Sequence, residues 1–296
     1  MADNPHKILE ELKPEKEFFI GIDSDGCVFD TMEIKQKESF CPMFIKHFKM
    51  QKVSKYARET WEFVNLYSTT RGVNRFKALI RAFELLKERP EVKARNMEFL
   101  DIAAVIEWVN NETKLGNPAL EKYASEAKIP IIDATLTWSK EVNKIISEIV
   151  YDIPPFPFVK ESLEKMHLKA DLMVVSQTPV EALTREWKEH NIDGFVRLIA
   201  GQEYGTKAEH LKFAAVGKYP PEKILMIGDA LGDMKAAKSN GVLFYPINPG
   251  HEDASWERFY KEALDKFFTG TYLGEYENEL IKEFEEYLPE NPHWSN

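Results

Sequence analysis

The strongest constraint on the fold is a rhythm that is broken and then resumed. Phe18-Phe19-Ile20-Gly21-Ile22 is an apolar run too short for a helix, closed by the turn signal Asp23-Ser24-Asp25-Gly26, and it reads as one buried strand. From Thr31 to about Val150 that character disappears. Val73, Phe76, Leu79, Ile80, Phe83 and Leu86 recur at helical spacing up to Pro90, and similar patterns run over 34–48, 61–67, 99–109 and 137–150. Pro42 is expected to break the first of these, and Pro118 to open a short extra helix. Pro154-Pro155-Phe156-Pro157 then forbids continuous helix and stiffens the backbone. Beyond it strands (171–175, 196–200, 223–227, 242–245) alternate with helices (158–167, 180–190, 207–216, 234–239).

Short apolar strands alternating with helices build a parallel sheet covered on both faces. The expected class is therefore α/β, a doubly wound parallel sheet with an inserted all-helical domain. Residues 1–31 and 151–296 make a discontinuous core, and 32–150 the insert. The ends of the insert must meet near the tip of the first strand, the edge where open parallel sheets bind ligands, which places the insert to act as a lid. Residues 1–17 hold one short helix over Ile8, Leu9 and Leu12 and receive no role. The acidic tail from Ser255 is helical, and its stripe Leu280, Phe284, Tyr287 and Leu288 packs on the core or on a partner subunit.

Composition narrows the function. A net charge of −10 argues against a duplex nucleic-acid surface and gives no polybasic membrane patch. No stretch approaches the length of a membrane span, and no signal peptide is visible. Two cysteines, Cys27 and Cys41, make no disulfide framework and lack metal-ligand spacing, so a reducing cytoplasm is expected.

The chemistry-bearing residues fall at strand ends. Asp23 and Asp25 are one residue apart after a buried strand; paired carboxylates there repel and lose hydration, and a hard cation such as Mg²⁺ would relieve both costs. The same residues also suit an ordinary Asx turn. Ser176, after the second strand, offers a hydroxyl and nearby backbone N–H groups to an oxyanion, or else caps the helix after Pro179. Lys207 opens a helix whose dipole disfavours it there, which suits a lysine facing an anion and equally an exposed one. Gly228-Asp229 closes another buried strand, with Asp233 one helical turn on.

Taken in order, Asp23-Ser24-Asp25-Gly26, Ser176, Lys207, and Gly228-Asp229 with Asp233 resemble the four motifs of the haloacid dehalogenase-like hydrolase superfamily. The resemblance covers 18–30 and 155–250, and the helical insert resembles that superfamily's C1-type cap, though longer. It implies a Rossmann-like core, Asp23 as nucleophile, Asp25 as general acid and base, and phosphate held by Ser176, Gln177 and Lys207. It implies Mg²⁺ on Asp23, Asp229 and the Asp25 carbonyl, with Asp233 holding a metal-bound water or orienting Lys207. Cys27 stands where threonine is usual. The acid two residues after the nucleophile points to phosphate rather than carbon–halogen chemistry. Thr69–Lys77 is similar to a cap segment of the β-phosphoglucomutase and phosphoglycolate phosphatase-like branch, which makes Arg71, Asn74 and Arg75 candidate specificity residues. The expected activity is hydrolysis of a small phosphorylated metabolite by a monomer or homodimer. A phosphomutase of the same machinery and a catalytically silent metabolite- or partner-binding protein are the alternatives.

Overall fold

A computed structural model describes residues 5–295. The chain divides into two compact units: residues 5–31 with Tyr151–Leu288, and Met32–Val150 with residues 289–295.

The first unit is built on five parallel strands: β1 (Phe18–Ile22), β2 (Ala170–Val175), β3 (Leu198–Ala200), β4 (Ile224–Gly228) and β5 (Leu243–Pro246). Their order is β3-β2-β1-β4-β5, so β1 is central and the chain changes direction across it. Side chains alternate faces along each strand. Ile20, Ile22, Leu172, Val174, Leu225 and Ile227 join one buried cluster, and Phe19, Met173, Val175 and Met226 another. Both faces are covered, which is the doubly wound arrangement. Register sets Ile22 opposite Val174 on one side and Ile227 on the other, so β1, β2 and β4 run out together.

Past that edge, the two stretches of this unit that flank residues 32–150 in sequence pair with each other. Phe29 forms an antiparallel bridge with Pro155, and the Phe156 N–H donates to the Val28 carbonyl at 2.9 Å. The tail packs on this unit: the Glu275–Tyr287 helix buries Leu280 and Phe284, the latter against Phe244.

The second unit is helical. Ser54–Leu66, Arg75–Glu88, Ala103–Asn111, Asn117–Ala127 and Pro130–Ile149 surround an aromatic core in which Phe44, Phe48, Trp61, Phe76, Phe83 and Trp138 are buried. Pro42 does not break its helix. The run from Thr31 to His47 is continuous because Lys35–Phe40 widens into a π segment immediately before Pro42, with the Cys41 N–H donating to the Gln36 carbonyl, and this wider turn accommodates the proline. The helix expected over 99–109 begins only at Ala103, while the last one starts at Pro130, well before its expected onset.

Residues 289–295 were expected to belong with the sheet, and here the structure differs. Trp294 lies under the Arg89 guanidinium, 4.2 Å from ring centroid to Cζ, and edge-on to Phe63, so the end of the chain joins the helical unit. Among the described residues no helix is long and apolar enough to cross a membrane.

Candidate active site

The Asp23 N–H donates to the Ile227 carbonyl at 2.9 Å, carrying the β1–β4 ladder one residue past the strand. Gly26, with φ +74°, then folds the chain back, and its N–H donates to the Phe29 carbonyl. Two buried tryptophans pin this loop from below: Trp187 Nε1 donates to Ser24 Oγ at 3.0 Å and Trp256 Nε1 to the Cys27 carbonyl at 2.7 Å. Cys27 is fully buried, and burial pushes its thiol well above the ordinary range, so it serves as packing.

Asp23, Asp229 and Asp233 are buried, at 4%, 2% and 0% exposure, and each offers a carboxylate oxygen within 4.8 Å of the others. Asp233 is held by the Ala230 N–H, which donates to its Oδ2 at 3.1 Å. Gly228 makes room for it: a Cβ at that position would lie 2.4 Å from Asp233 Cβ. Lys207 begins the Lys207–Ala214 helix behind a capping box, in which Glu209 N–H donates to Thr206 Oγ1 and Thr206 N–H to Glu209 Oε2. From there Lys207 Nζ donates to Asp23 Oδ2 at 2.7 Å and to Asp233 Oδ1 at 2.6 Å. A lysine at the wrong end of a helix dipole thus does face anions, and they are the protein's own.

Burial raises the Asp23 carboxyl to about 6; Lys207 opposes the rise and Asp229 adds to it. Asp233 is likewise raised to about 6 by burial, against the pull of Lys207. Burial alone would lower Lys207, but Asp23 and Asp233 outweigh it and hold the ammonium charged far above its usual range. Three carboxylates against one ammonium leave an anionic, all-oxygen donor set, and that chemistry fits a hard divalent cation such as magnesium.

Asp25 is oriented by two hydroxyls: Thr31 Oγ1 donates to its Oδ1, and Thr178 Oγ1 to its Oδ2 at 2.7 Å. Neither threonine was singled out from the sequence, although Thr178 lies only two residues past Ser176. Ser176 Oγ accepts from the Thr178 N–H at 3.2 Å, and Gln177 Nε2 donates to the Gly205 carbonyl at 2.9 Å, tying the β2 loop to the Lys207 loop. Gly201 allows these loops to approach, since a Cβ there would lie 2.5 Å from the Thr178 carbonyl oxygen.

Asp23, Asp25, Ser176, Gln177, Lys207, Asp229 and Asp233 all belong to the sheet unit, and Arg71, Asn74 and Arg75 to the helical one. There each of the three has a structural task. Asn74 Oδ1 caps its helix by accepting from Phe76 N–H, and its Nδ2 donates to Leu115 O. Arg71 Nη1 donates to Leu66 O, and Arg75 Nη1 to Asn143 Oδ1 and Ser139 while its guanidinium stacks 4.9 Å from the Phe40 centroid.

A family model for haloacid dehalogenase-like hydrolases matches residues 73–247. No curated protein matches the sequence significantly. Among solved structures, similar ones include a haloacid dehalogenase-like family hydrolase from Streptococcus pneumoniae, 16% identical over 83% of this chain and 91% of that one, TM-score 0.48. A proposed phosphoglycolate phosphatase from Lactobacillus delbrueckii is 14% identical over 83% and 92%, TM-score 0.46. A magnesium-bound hydrolase proposed for the same superfamily, from Bacillus subtilis, is 13% identical over 78% and 86%, TM-score 0.44. The family match begins beyond Asp23 and Asp25, whose grouping with the later residues rests on the geometry above. It takes in more than half of the chain, with Ser176, Lys207, Asp229 and Asp233, and on that ground the chain belongs to the haloacid dehalogenase-like hydrolases.

Proposed function

We propose that the protein is a Mg²⁺-dependent phosphatase that hydrolyses a small phosphate monoester through an aspartyl-phosphate on Asp23. The observation that carries this reading is the buried trio Asp23, Asp229 and Asp233 with Lys207 bridging two of its members. Asp23 and Asp229, with the Asp25 carbonyl, would hold the ion, which when bound offsets negative charge on the phosphoryl group.

An Asp23 carboxylate oxygen attacks phosphorus; the new O–P bond forms as the ester O–P bond breaks. Asp25 gives its proton to the departing alkoxide, then takes one from the water that attacks the phosphorus of the intermediate, returning Asp23 and releasing inorganic phosphate. Thr31 and Thr178 hold the Asp25 carboxyl in orientation for both transfers. Lys207 and the Ser176 hydroxyl donate to the phosphoryl oxygens, where positioning and charge stabilisation supply most of the rate. Acceptance of the Thr178 N–H by Ser176 Oγ leaves the hydroxyl proton for that purpose.

The test is phosphate release from p-nitrophenyl phosphate with Mg²⁺, with excess chelator, and with Asp23→Asn. Release in the first case only supports the reading. Equal release in the presence of chelator, or by the variant, contradicts it.

A further inference from the structure

The residues before β1 received no role from the sequence, yet the structure fastens them to the loop that carries Lys207. The Lys7–Glu11 helix packs along Lys207–Ala214. Lys218 Nζ closes its far end, donating to the carbonyls of Leu9, Glu10 and Leu12 at 2.8, 3.0 and 2.9 Å. Asp171 Oδ2 then accepts from the N–H groups of Glu15 and Lys16 at 2.8 and 3.0 Å, which anchors the segment as it enters β1.

At its near end His6 engages the loop itself. Its Nδ1–H donates to the Tyr204 carbonyl at 2.9 Å, and its ring stacks on Phe213 with centroids 4.4 Å apart. Gly205, at φ +109°, is where the two meet: a Cβ there would lie 2.7 Å from His6 Cε1. The other side of the same turn is held by Gln177 through the Gly205 carbonyl. The next residues are Thr206, which caps the helix, and Lys207.

We propose that His6 is a positioning residue for Lys207, fixing from the N-terminal side the Tyr204–Thr206 turn that Gln177 fixes from the β2 side. The segment 7–17 is the strap that seats it. The inference rests on the phosphoryl-transfer reading for Lys207. It predicts that loss of the His6 N–H lets the turn drift and weakens the grip on a phosphate dianion, while the fold survives.

The test uses the full chain with His6→Phe, which keeps a ring on Phe213 but no N–H, and His6→Asn, whose amide N–H falls near the place of Nδ1. Two quantities are read: inhibition of p-nitrophenyl phosphate hydrolysis by inorganic phosphate, and hydrogen exchange of the Thr206 and Lys207 amides. The expected result is a roughly 10-fold weaker inhibition and faster exchange for His6→Phe. Both should return toward wild type in His6→Asn, at nearly constant urea midpoint for the two variants. Unchanged inhibition and exchange in His6→Phe would overturn the proposal, as would a loss matched in His6→Asn and explained by a lowered midpoint. If the wild type hydrolyses no aryl phosphate, the phosphatase reading fails instead, and the exchange rates alone decide whether His6 holds the turn.

Discussion

Asp25 owes its orientation to hydroxyls from two loops far apart in sequence, and this separates its role from that of Asp23 experimentally. Thr178→Val removes the donor 2.7 Å from Asp25 Oδ2, so the variant should lose roughly 10-fold in kcat on an alkyl phosphate, part of the 10²–10⁴ that general acid–base work supplies. On p-nitrophenyl phosphate, whose leaving group needs no proton, the loss should be small, and Thr178→Ser should restore the alkyl rate. Equal losses on both substrates would mean that Thr178 acts elsewhere. Gly228→Ala makes a second prediction. The added methyl would lie 2.4 Å from Asp233 Cβ, a clash costing about 1–3 kcal/mol in a packed interior, and relief by moving Asp233 would also draw it off Lys207. Stability by urea titration and turnover should fall together; unchanged turnover would show that the Asp233–Lys207 contact is dispensable.

At the scale of elements, the sheet was legible because its strands are short apolar runs alternating with helices, three of them leading into Asp or Ser, whereas nothing in that alternation sets the strand order. The grouping of the three buried aspartates follows from the same feature: Asp23 and Asp229 lie just past adjacent strands, whose ends a parallel sheet brings to one edge, and Asp233 sits in the first turn of the helix that follows. What was not legible is contact across sequence distance. Nothing in the spacing of Thr31 and Thr178 announces that both meet Asp25, nor does the sequence announce that His6 meets Tyr204 at the head of a segment that Lys218 and Asp171 fasten. Pro42 misled because propensity treats proline as a break, whereas a π turn absorbs it. That π segment carries Gln36, whose Oε1 accepts from the buried Trp61 Nε1 at 2.9 Å. Gln36→Leu would leave this N–H buried without an acceptor, costing about 1–3 kcal/mol of helical-unit stability by calorimetry. A neutral result would mean that the segment repacks around the tryptophan.

For the whole molecule, acid should be the revealing stress. His210 is fully buried, and burial, then the Lys207 charge, lowers its pKa from 6.5 to about 4. The unfolded chain therefore binds a proton there that the folded one refuses, so this group drains stability as pH falls from about 6.5 to 4 and contributes nothing above that range. The shift corresponds to something on the order of 3 kcal/mol. His210→Leu should show a flatter acid limb than wild type and little change at pH 8; parallel limbs would exclude His210 as the cause. The account as a whole turns on Asp23 carrying the phosphoryl group. The most direct test is to acid-quench the Asp25→Asn variant, which still has the nucleophile but lacks the base for the second step, during turnover of an activated aryl phosphate, and to map phosphate by peptide mass. The expected result is one phosphoryl group on the peptide containing Asp23, absent from an Asp23→Asn, Asp25→Asn double variant. Label on another residue, or hydrolysis by the double variant at the rate of the single one, would contradict the mechanism.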